Sequence, residues 1–373
     1  MFRHRTTVLV VASFVLSLVV GKAWGQTQYT VTDLGFGGQV NAINASGQVV
    51  GCCGNGTGTS YAVLYSNGTV TNLNTVAVSS GWQLQDAYGI NNNGQIVGQG
   101  VNPSGQEDAF LYSNGTVTDL GAINGAAFGI NASGQVTGAS GTGNAFLYSN
   151  GTMTNIGTLP SPYNRASTAY GINDSGQVVG YCYGNGSSLN IYGGDTTHAY
   201  LYSNGTMTDL NTLVPAPYND SSGALHINNS GQVVGSASDF SGNSHAFLYS
   251  NGTMTDLGTL GGTSSGAAGI NLLGQVVGYA QDSSGDNQAF LYSNGAMSDL
   301  NTLVPGSGWE MESANAINDS GQIAGWGVNP SGQVDEFLLT PESVPEASTV
   351  TMLGTGLLTL GVIHCLLRRR KRT

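Results

Sequence analysis

A chain of 373 residues with 58 glycines and a formal net charge of −12 carries little positive charge with which to hold an anion. Eight of its nine basic residues lie in the two ends, so between Gln26 and Ser343 a single cation, Arg165, faces twenty carboxylates, a formal charge of −19. Such a body repels nucleic acid and anionic membrane, and suits neutral polymers, cationic partners or divalent cations.

Residues 1–25 read as a secretory signal peptide. Arg3 and Arg5 give a positive start, Val8 to Val20 is apolar but for serines, and Ala23 and Gly25 stand at the small-residue cleavage positions. The mature chain then starts at Gln26. An uncleaved N-terminal anchor is the alternative, and it would want a longer apolar run.

Residues 26–343 are a repeat array. Three short signatures recur in fixed order. A Gly/Ala-Ile-Asn triplet, followed by Ser-Gly-Gln-Val-Val-Gly or a variant, has its isoleucine at Ile43, Ile90, Ile130, Ile172, Ile227, Ile270 and Ile317. An Ala-Phe-Leu-Tyr run starts at Ala62, Ala109, Ala145, Ala199, Ala246 and Ala289, with a worn copy at Glu336. A Thr-Val-Thr-Asp-Leu run ends at Leu34, Leu73, Leu120, Ile156, Leu210, Leu257 and Leu300. The isoleucine spacing averages about 46 residues, the length of a propeller blade built from four short strands.

The runs themselves are β-branched and aromatic with alternating character. The Ser-Asn-Gly between the second and third signatures is a strong hairpin signal, because Asn-Gly readily adopts the positive φ values of a primed turn. Ser-Gly-Gln is expected to join the first signature to Val-Val-Gly in the same way. Each unit is therefore a four-stranded antiparallel meander, which cannot bury its faces alone and must stack on neighbours. The array starts with a fourth strand, Tyr29 to Gly35, and ends with a third strand at Glu336 to Leu339. That complementary excess closes a ring, so the expected fold is all-β, a seven-bladed β-propeller whose N-terminal strand completes the last blade. A β-solenoid is the alternative.

Residues 344–373 carry a second address. Val344, Pro345, Glu346, Ala347 and Ser348 precede an uncharged stretch at about 350–367, which as a helix would span about 27 Å, and Arg368 to Arg372 follow as a basic tail. This arrangement resembles the PEP-CTERM sorting signal, which implies processing by an exosortase at the envelope of a Gram-negative bacterium. A plain C-terminal transmembrane anchor is the alternative, and either places the body outside the cytoplasm. Within the body, His-Ala-Phe-Leu-Tyr at His245 and Gly-Ile-Asn at Gly269 resemble the HAF-repeat extracellular proteins. Only His198 and His245 keep the histidine; Asp108, Asn144 and Gln288 stand in its place elsewhere. The resemblance implies export and a repeat architecture, with no assigned reaction.

In a meander the two short turns share one face and the variable loops share the other. The variable loops hold Trp82, Tyr163, Tyr181, Tyr183, Tyr192, Tyr218 and Trp309, with Glu310 and Glu312 beside the last. Aromatic rings flanked by carboxylates and amides are suited to binding sugars. Trp82 and Trp309 also each lie eight residues before the isoleucine of the first signature, a repeated position that packing between blades would explain equally.

Other chemistry has a thinner basis. Cys52, Cys53 and Cys182 are too few for a disulfide framework, and no histidine sits at zinc-ligand spacing near them. Asp174, Asp319, Asp282 and Asp286 faintly resemble calcium loops but lack the alternating carboxylates and closing glutamate, so no cofactor is expected and calcium is only hinted at. The Asn-Gly-Thr sequons coincide with turns that already explain them. No HExxH motif is present, and Glu310 with Glu312 is a slight foundation for a glycosidase. The expectation is an exported, non-enzymatic binding or scaffold module associated with neutral polysaccharide, against a purely structural surface protein.

Overall fold

The computed structural model describes residues 27–54, 60–184, 196–218 and 220–342. The signal segment, Tyr192, the motif Val344 to Ser348 and the apolar stretch at about 350–367 lie outside them. Among the described residues no helix is long and apolar enough to cross a membrane.

Seven separate four-stranded sheets make up the body. Their innermost strands are Gly38–Ile43, Gln83–Ile90, Ala126–Ile130, Ala166–Ile172, Ser221–Ile227, Gly261–Ile270 and Glu310–Ile317, which begin blades 1 to 7. In blades 1 to 6 the strands follow chain order from the channel outward. Blade 7 takes its outer strand from the N-terminus: Tyr29–Asp33 pairs antiparallel with Val334–Pro341, from Tyr29 opposite Pro341 to Asp33 opposite Phe337. The chain is thus a closed seven-bladed propeller and not a solenoid, in which the sheets would run on continuously.

Turn chemistry sets the blade geometry. Asn67 (φ 49°) and Gly68 (φ 80°) form the primed turn that the Asn-Gly pair requires, and the same signs recur through Asn294 and Gly295. The Ser-Gly-Gln turn is built differently from the expectation. Here Asn44 Oδ1 accepts the Ser46 and Gln48 N–H groups at 3.1 and 3.0 Å, so an asparagine side chain closes the loop.

The core is divided among the seven junctions between blades. One junction gathers Val50, Ala62 and Leu73 of blade 1 with Leu84, Ala87 and Phe110 of blade 2. Phe110 is fully buried, and burying such a ring stabilises by roughly 1.5–3 kcal/mol. Close packing needs the glycine of Val-Val-Gly: a Cβ on Gly98 would collide with the Asp86 carbonyl and meet the Phe110 ring at 2.9 Å.

A β-bulge interrupts every innermost strand at the same place. In blade 2, Ala87 pairs with Gly98 and Gly89 with Val97, leaving Tyr88 as the extra residue. The equivalent residues are Asn41, Phe128, Tyr170, Leu225, Ala268 and Asn315. A bulged residue is released from the ladder and re-aimed, and here all seven line the central channel.

Candidate functional site

The aromatic residues expected on the variable face divide into three environments. Trp82 and Trp309 are each 9 % exposed and pack edge-on against Phe110 and Phe337, with ring centroids 6.3 and 6.0 Å apart. An indole so enclosed offers no face to a sugar; both belong to the junctions between blades. Glu310 is exposed at the start of its strand, and Glu312 is half-buried at a second bulge between Met311 and Ser313.

Tyr163 and Tyr218 form a matched pair of latches. Tyr163 stacks on His198 with centroids 3.4 Å apart, and Tyr218 stacks on His245 at 4.0 Å. His198 Nδ1 lies 2.8 Å from Asp209 Oδ2, and His245 Nδ1 lies 2.9 Å from Asp256 Oδ2. Each Nε2 is also occupied, by Asn211 Nδ2 at 2.9 Å and by the Tyr218 hydroxyl at 2.8 Å. Both imidazoles therefore tie a crossover loop to its blade.

Tyr181 and Tyr183 are different, for they meet each other and a cleft. Their rings lie edge to face at 5.3 Å, and the Tyr181 hydroxyl is 2.9 Å from that of Tyr170. Burial, followed by the neighbouring phenol, pushes the hydroxyls of Tyr181 and Tyr183 up to about 12. The Tyr181 ring lies over Gly223, whose missing side chain makes the room. It walls a 220 Å³ cleft between blades 4 and 5 on the variable face, whose polar lining is Thr197, Ser221, Ser222, Ser236 and Ser238. Among the described residues no charged side chain lines it. Phe240, two residues beyond Ser238, is 74 % exposed.

The central channel forms the second concavity, a cavity of 390 Å³. Tyr88, Phe128 and Tyr170 make a continuous aromatic arc over three successive blades, with centroids 5.0 and 4.8 Å apart. Sequence reasoning missed all three, although each occupies the position before Gly-Ile-Asn. His226 replaces that glycine in blade 5 and stands beside the arc. Opposite lie Ala268, Gly269 and Ala316, which leave the space open.

The suspected calcium positions have other work in the turns. Asp174 Oδ1 accepts the Ala132 N–H and Asp319 Oδ1 the Leu272 N–H, both at 2.8 Å, joining neighbouring blades. Asp282 Oδ1 accepts from Ser284 and Asp286, which lowers its pKa. Among the described residues no three His, Cys, Asp or Glu side chains converge as a metal site. Cys52, Cys53 and Cys182 are free thiols, raised to about 12, 11 and 11, chiefly by burial.

No family model matches the chain, and no curated protein matches it. Solved structures do share its architecture. The β-propeller domain of the Trilobed protease from Pyrococcus furiosus, described as having an open velcro topology, is similar with a TM-score of 0.55 at 10% identity, covering 84% of this chain and 94% of that one. TolB from Acinetobacter baumannii gives 0.39 at 13% identity, covering 85% and 80%. The six-bladed fungal lectin of Aleuria aurantia gives 0.35 at 11%, covering 69% and 95%. The first likeness extends to the β-propeller fold alone, and in this chain the ring is closed by pairing of the N-terminal strand.

Proposed function

We propose that the chain is an exported, non-enzymatic binding module that holds a neutral polysaccharide at the cell surface, sorted there through its C-terminal signal. The observation that carries this reading is the cleft between blades 4 and 5, where the Tyr181 ring stands beside five hydroxyl side chains and, among the described residues, no charge. A sugar has apolar ring faces that stack on an aromatic surface and hydroxyls that exchange hydrogen bonds with serine and threonine. The acidic body, with one arginine, supports a neutral polymer over an anionic one. The signal at 1–25, the Pro345-Glu346 motif and the basic tail support export and exosortase processing.

The test is co-sedimentation of the full chain with insoluble neutral glucans and with the producing cell's own exopolysaccharide. Saturable binding that Tyr181→Ala weakens about tenfold, with reducing ends unchanged after incubation, is expected. No saturation with any neutral polymer, or release of reducing ends, would remove the reading. Export is checked separately: the mass of the protein recovered from the envelope should end near Pro345 and Glu346, and an intact Thr373 terminus would count against processing.

A further inference from the structure

The seven bulged positions make the channel lopsided. Blades 2, 3 and 4 fill their side with Tyr88, Phe128 and Tyr170, whereas blades 6, 7 and 1 present Ala268, Asn315 and Asn41. At the next position six blades carry glycine or alanine, and only blade 5 places a functional side chain there, His226. That imidazole is reached from the channel and shares in both the central cavity and the shallow polar mouth on the turn face. Enclosure by the ring of blades lowers its pKa below 6.5, so it is neutral at neutral pH, with one N–H and one lone pair. The titratable groups that share the channel wall with it are the phenols of Tyr88 and Tyr170, both raised by burial; the carboxylates of Asp174 and Asp319 line the mouth, and among the described residues no carboxylate, ammonium or guanidinium lines the central cavity itself.

We propose that the central channel binds a small uncharged aromatic alcohol, with its ring against Phe128 and Tyr170 and its hydroxyl on His226. The cavity of 390 Å³ falls within the range of small-molecule pockets, roughly 300–1,000 Å³. Its lining is otherwise isoleucine, leucine, alanine and glycine, with Asn41 and Asn315 as the further polar side chains. Asn41 Nδ2 already donates to the Ala87 carbonyl and Asn315 Nδ2 to that of Val40, at 2.9 and 2.7 Å. A monosaccharide bears hydroxyls around its whole ring and would leave most of them buried and unpaired here, which opposes its binding. An aromatic alcohol carries one, and the imidazole takes it. The site adjoins the Tyr181 cleft across Leu225 and the Tyr170–Tyr181 contact but opens into the channel, with Ala268 on its far side.

The experiment is calorimetric titration of the full chain with p-cresol, with toluene and methyl glucoside as comparison ligands. One saturable site for p-cresol is expected, with toluene and the glucoside at least tenfold weaker. His226→Ala introduces the residue that blades 1 and 7 already carry, so the fold tolerates it, and it should weaken p-cresol about tenfold. Ala268→Phe places in blade 6 the aromatic of blade 3, fills the open side and should abolish binding. Affinity should fall in acid as His226 protonates, and the alanine variant should show no such fall. Equal affinity for toluene, preference for the glucoside, no saturation, or indifference to both variants would each overturn the proposal. Polymer co-sedimentation with Ala268→Phe separates this site from the cleft: it should be unchanged, whatever p-cresol does.

Discussion

Asn318 Nδ2 donates to the backbone carbonyl of Asn44 at 3.0 Å, although 274 residues separate them. It is the last link of a circle. The same bond runs from Asn44 to Asn91, Asn131, Asn173, Asn228, Asn271 and Asn318, at 2.9 to 3.2 Å. All seven asparagines are buried, and each gives its other amide hydrogen to the glutamine four residues on, as Asn318 does to Gln322 at 2.8 Å. The circle rims the channel on the turn face and joins every blade to the next.

Asn318→Ala removes one of the two donors to the Asn44 carbonyl, which keeps the Gly47 N–H, and takes the acceptor from the Ser320 and Gln322 N–H groups. A loss of about 2–3 kcal/mol is expected, because buried groups are left unpaired. Urea denaturation measures it. Asn318→Asp keeps the turn acceptor but has no hydrogens for Asn44 or Gln322, and should be no more stable than the alanine variant at neutral pH.

Trp82→Ala and Trp309→Ala test packing directly. Each removes a ring from a filled junction, and truncating a buried aromatic costs about 3–5 kcal/mol. Melting curves should fall for both, and by more than for Tyr181→Ala, whose ring is only half-buried. Unchanged melting of the tryptophan variants would return both indoles to the list of binding candidates.

Why the fold was legible while the sites were less so comes down to the range of the interactions. The isoleucine spacing and the Asn-Gly turns depend on local alternation and backbone preference, and the surplus Tyr29 to Gly35 strand needs only a count. Tyr88, Phe128 and Tyr170 share a position in the repeat, so their recurrence was visible. Their direction was not, because strict alternation does not reveal a bulge that arises when the strand pairs with Val-Val-Gly. The cleft joins Tyr181 to Ser221 and Ser238 across a blade junction, a contact that no single repeat contains. The worn copy at Glu336 hid a different fact: it puts a carboxylate where six blades bury alanine.

That carboxylate should make ring closure sensitive to pH. Ala62, Ala109, Ala145, Ala199, Ala246 and Ala289 are 0 % exposed, and Glu336 at the matching site is 1 % exposed. Its Oε1 accepts the Gly38 N–H at 2.6 Å, and its Oε2 has no partner. Burial first, with Asp335 opposing ionisation further, raises its pKa from 4.5 to about 7. A raised folded-state value means the stability is fully present below about pH 4.5 and is lost as pH climbs to about 7, on the order of 2–3 kcal/mol. Glu336→Gln should flatten that part of the profile and be the more stable protein at pH 8. Parallel melting curves from pH 4.5 to 8 decide it, and identical slopes would show that this carboxyl is not the titrating group.

The closing strand offers the sharpest test of the topology. Tyr29 and Leu34 are 6 % and 4 % exposed, and the five paired residues Tyr29 to Asp33 cover the outer edge of the last strand from Phe337 to Pro341. Deleting residues 29–34 bares that edge, with its unpaired backbone groups beside the Leu338 and Leu339 side chains, and an exposed flat edge invites pairing with another chain. The truncated protein should self-associate in sedimentation velocity, where the full chain does not through this edge. Because the missing strand is held by backbone pairing and two buried side chains, a peptide Tyr-Thr-Val-Thr-Asp-Leu added in excess should occupy the edge and restore the monomer, as strand addition does elsewhere. A truncated chain that stays monomeric without the peptide would mean that blade 7 is complete with three strands.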